Sequence, residues 1–118
     1  MNKKNYIFVK CKKGVLKKIL LNDITHIVAD RDYCKIFTPS KMFYTNATMK
    51  TLFEILPNDS FLQCSRSIIV NVDKIETINN RSIFINSDFS TTITNTYKKA
   101  FFSGLNCLTT GYEARKNS

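Results

Sequence analysis

Short strand-like runs closed off by turn residues predict a mainly β domain, in which sheets pack against one another and two short helices cover them. Three observations carry that reading. Apolar residues alternate with others along most segments, Gly, Pro, Asn and Asp punctuate them, and only two stretches place apolar residues at helical spacing. A chain of 118 residues with 43% hydrophobic content is long enough for one modest core. A single domain over residues 1–118 is therefore expected, with its core in about 6–105 and a loose polar tail over 106–118.

The elements follow in order. Tyr6 to Cys11 alternates, Lys12-Lys13-Gly14 turns with glycine supplying the tight backbone, and Val15 to Leu21 returns as the second strand of a hairpin. After Asn22-Asp23 a second hairpin is expected, with His26 to Asp30 and Tyr33 to Thr38 flanking Arg31-Asp32. Beyond Pro39-Ser40, Met42 to Thr45 reads as a further short strand. Met49, Leu52, Phe53 and Leu56 fall at i, i+3, i+4 and i+7 and make one apolar stripe. Asn46 or Thr48 caps this helix, Pro57 stops it, and it should plug the open face of the sheet. In Phe61 to Ile75 a polar tip, Ser65-Arg66-Ser67, stands directly before Ile68, Ile69, Val70 and Val72, which are suited only to burial. Lys74 to Ile78 and Ser82 to Asn86 bracket an Asn79-Asn80-Arg81 turn, and Ser90 to Thr94 adds the last strand. Residues 95–105 are helix-compatible, with Tyr97, Ala100, Phe101 and Leu105 on one side and Thr94 or Asn95 as cap.

Composition narrows the function. Eighteen Lys plus Arg against nine Asp plus Glu give a net charge of +9, which favours polyanions and nucleic acid first among them. Seven lysines (Lys3, Lys4, Lys10, Lys12, Lys13, Lys17 and Lys18) fall in residues 1–20 with no acid. That run reads equally as a solvated edge that discourages aggregation. No apolar run approaches the roughly 20 residues that span a bilayer, and the start lacks the apolar stretch of a signal peptide. The expected compartment is the cytoplasm, with no membrane partner.

Chemistry-bearing residues are sparse. The four cysteines, Cys11, Cys34, Cys64 and Cys107, lie far apart and read as reduced thiols. Cys11 and Cys64, between strand-like neighbours, are expected as buried small hydrophobes, while Cys34 beside a turn fits either role. The sole histidine, His26, lies in an apolar run and is expected to pack, so no set of zinc ligands is available. Asp23, Asp59 and Asp88 sit in turns, and Gly14, Gly104 and Gly111 are too scattered to cradle a phosphate. Neither an enzyme nor a cofactor, metal or small-molecule substrate is expected.

Three polar loops carry residues suited to DNA: Arg31 to Lys35, Gln63 to Ser67, and Thr94 to Lys99. Arginine can contact guanine bidentately in the major groove, and asparagine or glutamine can do so with adenine, which equips Arg66, Asn95 and Gln63 to read bases. Lys35, Lys98, Lys99, Ser65 and Ser67 would more naturally hold phosphates.

Phe61, Arg66, Ser67, Val70, Asn71 and Ile75, in that order and spacing, resemble the signature of LytTR-type DNA-binding domains. Gln63 and Ser65 stand where that signature usually has Arg and His. Upstream, Asp23-Ile24 with Ile27, then Tyr33, Phe43-Tyr44-Thr45, Leu52 and Leu56 agree. Downstream, Thr94-Asn95-Thr96-Tyr97 takes the place of Ser-Arg-x-Tyr, so the likeness spans residues 6–105. It implies elongated antiparallel β-sheets with two short helices, which lay loops rather than a recognition helix into successive major grooves. It also implies a bacterial transcription regulator acting on paired direct repeats of double-stranded DNA, as a homodimer on such sites. The contact loops would fall on Tyr33, Cys34 and Lys35, on Ser65, Arg66 and Ser67, and on Asn95 with Lys98. Family members commonly follow a phospho-acceptor receiver domain served by a sensor kinase in a two-component system. The chain is then either a stand-alone regulator or a piece of a larger one.

Ser65 and Asn95 replace long donors, which keeps a second reading open: a basic protein-interaction module that binds DNA only non-specifically and modulates a partner regulator. Single-stranded RNA binding calls for exposed stacking aromatics, for which Tyr33 and Tyr44 are the candidates. Asn71 is read as structural, since an Asn ending a strand commonly bonds nearby backbone.

Overall fold

The computed structural model describes residues 4–86 and 88–116. The alternating first segment forms a hairpin of β1 (Tyr6–Lys12) and β2 (Val15–Leu20), turned at Gly14 with φ 77°. A five-stranded antiparallel sheet follows. Its strands β3 (His26–Asp30), β4 (Tyr33–Phe37), β5 (Met42–Thr45), β6 (Phe61–Ser65) and β7 (Ile68–Asn71) lie in the order β5-β4-β3-β7-β6. A three-stranded antiparallel sheet, β10-β9-β8, is built from β8 (Ile75–Asn79), β9 (Ser82–Ile85) and β10 (Phe89–Thr92). Helices α1 (Met49–Ile55) and α2 (Asn95–Ser103) complete the architecture. Its extents are 56 × 37 × 31 Å and its radius of gyration is 15.6 Å. A compact chain of this size would have about 13 Å, so the molecule is elongated.

Two cores explain the sequence pattern. Phe61 of β6 and Ile69 of β7 face a first core with Val9, Ile36, Leu52 and Leu56, whereas Leu62, Cys64 and Val70 face a second with Ile83, Ile93 and Phe101. Because successive strand side chains point to opposite faces, β6 and β7 are buried on both sides, which is why Ile68 to Val70 is continuously apolar. Helix α1 covers the first core as its stripe required. Thr48 is its N-cap, accepting from the Thr51 N–H at 3.1 Å.

Helix α2 lies on β6 so closely that a Cβ at Gly104 would meet Leu62 Cδ2 at 2.7 Å. Of its expected apolar side, Phe101 is buried and Tyr97 and Leu105 are half-buried, and the departure is at Ala100 and Phe102. Ala100 is exposed, Phe101 is buried, and Phe102 packs against the core beside Leu105. The helix also ends at Ser103 rather than 105, with Gly104 as C-cap. Residues 106–116 form no regular element and are exposed.

Cys11 corrects a second expectation, for it is exposed. The β1–β2 register shifts between Lys10 and Lys12, so the alternation that buries Val9 no longer reaches Cys11. Cys64 is buried as expected, and burial raises its thiol to about 11. Phe8 and Phe84 join Tyr33 and Tyr44 among the exposed aromatics.

His26 packs at the junction of the two large sheets. Its ring lies between Phe37 at 4.4 Å and Phe89 at 3.7 Å, nearly parallel to both, and Nδ1 shares a 2.8 Å hydrogen bond with Thr25 Oγ1. Burial lowers its pKa from 6.5 to about 4. Between those values the unfolded chain holds the proton and the folded chain does not, so stability is lost as pH falls from about 6.5 through about 4. Urea unfolding followed across that window is expected to show a steeper decline for the wild type than for His26→Gln. Parallel curves would mean that His26 titrates normally.

Candidate nucleic-acid interface

The Ser65-Arg66-Ser67 tip is the turn of the β6–β7 hairpin, and three bonds fix it. Ser65 Oγ accepts from the Ser67 N–H at 3.3 Å, Gln63 Nε2 donates to the Arg66 carbonyl at 3.3 Å, and the Ser67 carbonyl accepts from the Ala29 N–H at 2.8 Å. Arg66 is exposed, and no carboxylate pairs with it among the described residues. Ser67 is half-buried, and Ser65, 9% exposed, spends its hydroxyl inside the turn. Gln63 has one amide hydrogen committed to the loop. It is placed to hold Arg66 as much as to reach outward.

The Ala29–Ser67 bond ties this tip to the β3–β4 turn. There Arg31 adopts a left-handed φ of 58°, which costs an L residue roughly 1–2 kcal/mol. The other non-glycine residues with positive φ, Asn80 and Asn86, belong to the type that tolerates it. Tyr33 is exposed and stands edge-on to Tyr44 at 6.1 Å. Lys35 is directly opposite Tyr44 and pairs with Asp30 at 3.1 Å, a bond that raises its pKa. Exposed pairs of this kind are weak and exchange readily for a phosphate.

Cys34 is placed otherwise than a contact residue would be. Alternation along β4 turns Tyr33 and Lys35 outward and sends the thiol, 3% exposed, into the first core, where burial raises its pKa. Only its backbone remains near the turn.

The third loop is joined by a bulge. β6 pairs Gln63 with Ile69 but Ser65 with Ile68, leaving Cys64 as the extra residue. Its carbonyl, released from the ladder, accepts from the Thr94 N–H at 2.9 Å and from Thr94 Oγ1 at 3.4 Å. Thr94 therefore occupies the N-cap of α2 without bonding the helix through its side chain. Asn95, Lys98 and Lys99 are all exposed, and the start of α2 is pinned beside the Arg66 tip. Asn95 Oδ1 accepts from Arg81 Nη1 at 3.1 Å, and the Arg81 carbonyl accepts from the Ile93 N–H at 2.7 Å.

Four segments, the β3–β4, β6–β7 and β8–β9 turns and the start of α2, are thus linked by backbone bonds. They carry Arg31, Arg66, Arg81, Lys98 and Lys99 and the amides of Gln63 and Asn95. Arg81 extends the set read from the sequence, in which Arg31 already opens the first loop. For Arg31 the signal is a long cation in a turn position that suits Asn or Gly. For Arg81 the chain offers only an arginine after two turn asparagines. No group of His, Cys, Asp and Glu among the described residues could hold a metal, and no helix there is long and apolar enough to cross a membrane. Asn71 lies at the end of β7 away from the Ser65–Ser67 turn. It is buried, with Nδ2 donating to the Ile24 carbonyl at 2.8 Å and Oδ1 accepting from the Asp73 N–H at 3.0 Å.

Antiparallel sheets that present linked, cation-bearing loops on a basic body suit contact with a polyanion. The sequence profile of the LytTr DNA-binding domain matches residues 14–106, and the chain belongs to that family. Among solved structures the fold is similar to one described as the LytTr DNA-binding domain of a methyl-accepting/DNA response regulator from Bacillus cereus. That likeness has a TM-score of 0.74 and 18% identity, and covers 86% of this chain and 96% of that one. Comparison with curated proteins finds no match. The mainly β, two-helix architecture expected from the sequence is the one found.

Proposed function

We propose that this chain is a sequence-specific double-stranded DNA-binding transcription regulator that reads the major groove through its loops. The observation that carries the proposal is the bonding of three loops into one framework, Ala29 to Ser67 and Thr94 to Cys64, which leaves Arg66 exposed at its tip. Arg66 is the principal base reader, because an exposed guanidinium on a fixed turn can take the O6 and N7 of guanine. Lys35, Lys98, Lys99 and Ser67 hold phosphates, with Tyr33 on the same strand as Lys35 as a further contact residue. Residues 1–118 act as one domain. Paired direct repeats bound by two copies, cytoplasmic location, and control by a receiver domain and sensor kinase complete the proposal.

Selection of bound duplexes from a random pool at near-physiological salt tests it. The expected result is an enriched motif, with affinity for that motif well above affinity for its scrambled form. A second reading, the basic interaction module, is favoured by two observations: Ser65 is buried and the side-chain oxygen of Asn95 is occupied. If bulk DNA binds without any enriched motif and binding collapses with salt for all duplexes alike, that module is the function.

A further inference from the structure

We infer that Arg81 and Asn95 form one composite base-reading element, in which Asn95 holds the guanidinium of Arg81 beside the start of α2 and Arg81 takes a guanine. The inference rests on the proposed reading of DNA through loops and adds a residue and a division of labour to it.

A bidentate contact to adenine needs the amide oxygen to accept from N6 and the amide nitrogen to donate to N7. Asn95 Oδ1 already accepts from Arg81 Nη1 at 3.1 Å, which takes one of its two lone pairs and directs the amide toward Arg81. The amide is thereby placed to orient a neighbour.

Arg81 is well placed for the role. It is exposed, in the two-residue turn between β8 and β9, where Asn80 carries the left-handed φ of 57° and Asn79 pairs with Ser82. Its backbone is tied to the segment leading into α2 through the Ile93 N–H at 2.7 Å, and its side chain is tied to the first residue of α2. Arg81 is thus tied at its backbone and, by one bond, at its guanidinium. The bond to Asn95 uses Nη1 and leaves the Nε and Nη2 edge of the fork, which is the pair of parallel donors that matches guanine O6 and N7. Fixing a rotamer-rich side chain before binding removes part of the ordering cost of the contact. The same segment reaches the Arg66 tip through Thr94 and the Cys64 carbonyl, so the two arginines stand on one framework.

The test is motif selection with the wild type, Arg81→Ala, Arg81→Lys, Asn95→Ala and the double alanine variant, each checked for unaltered urea unfolding. Arg81→Lys keeps the charge and removes the fork. The expected result is that Arg81→Ala and Arg81→Lys both blur one guanine position, with contrast there reduced roughly 5- to 150-fold, while Arg81→Lys keeps its affinity for scrambled DNA. Asn95→Ala blurs the same position, and adding it to Arg81→Ala costs nothing further there. If the wild type enriches a motif and both Arg81 variants enrich it at full contrast, the inference fails alone. Arg81 and Asn95 affecting different positions also overturns it, by making them independent readers. A wild type that enriches no motif overturns both this inference and the reading on which it rests.

Discussion

Arg66→Ala lowers affinity for the preferred duplex by about 1–3 kcal/mol, roughly 5- to 150-fold, while affinity for a scrambled duplex falls much less. The expectation follows from the state of Arg66 in the free protein. Its side chain is exposed and pairs with no carboxylate among the described residues, and the backbone beneath it is already fixed by Ser65, Gln63 and the Ala29–Ser67 bond. Truncation removes the guanidinium and leaves the turn intact, because none of those bonds uses the Arg66 side chain. Titration of labelled duplexes at two salt concentrations separates the alternatives. Equal losses on preferred and scrambled DNA, with the salt dependence flattened by about one counterion, would make Arg66 a phosphate contact instead.

The fold was largely legible because its signals are local. Met49, Leu52, Phe53 and Leu56 place α1 within one turn of its observed bounds, and Gly14, Arg31-Asp32 and Asn80-Arg81 mark hairpin turns where turns are found. What was not legible depends on register. Cys11 looks buried to any reading by alternation, and a bulge at one backbone position turns it out. Position along a loop made Cys34 a contact residue, whereas alternation along β4, once its register is known, makes it core.

The site shows the same division. The residue types suited to DNA could be recognised along the chain, but their grouping depends on the bulge at Cys64, whose released carbonyl receives Thr94 from 30 residues away. Reading Asn95 by itself suggested a lost donor at that place in the family pattern. The structure brings Arg81 there from 14 residues upstream, through a pairing that no local pattern encodes.

Asn71→Ala is expected to cost about 3 kcal/mol of stability and to leave the DNA preference of the folded fraction unchanged. Asn71 is 1% exposed, and its amide joins three pieces of chain. Nδ2 donates to the Ile24 carbonyl at 2.8 Å and reaches the Leu21 carbonyl at 3.5 Å, while Oδ1 caps the 3-10 turn Val72–Lys74 through the Asp73 N–H at 3.0 Å. Removing the side chain leaves the Ile24 carbonyl without this donor beneath a fully buried residue, at about 1–3 kcal/mol, and removes a cap worth about 1 kcal/mol. Asn71→Asp should be no better than alanine. It keeps the acceptor for Asp73 but turns an oxygen toward the Ile24 carbonyl, so that two acceptors face each other in the interior. In urea unfolding the midpoint should drop with the m-value unchanged, which marks lost stability rather than a changed unfolded state. A variant that unfolds like the wild type but loses its preferred duplex would move Asn71 from the scaffold to the reading surface. Its burial behind Leu21 and Ile24 argues for the scaffold: the residue locks the end of β7, the strand that follows the Ser65–Ser67 turn, to the segment that leads into β3, and so holds the two neighbouring loops in register.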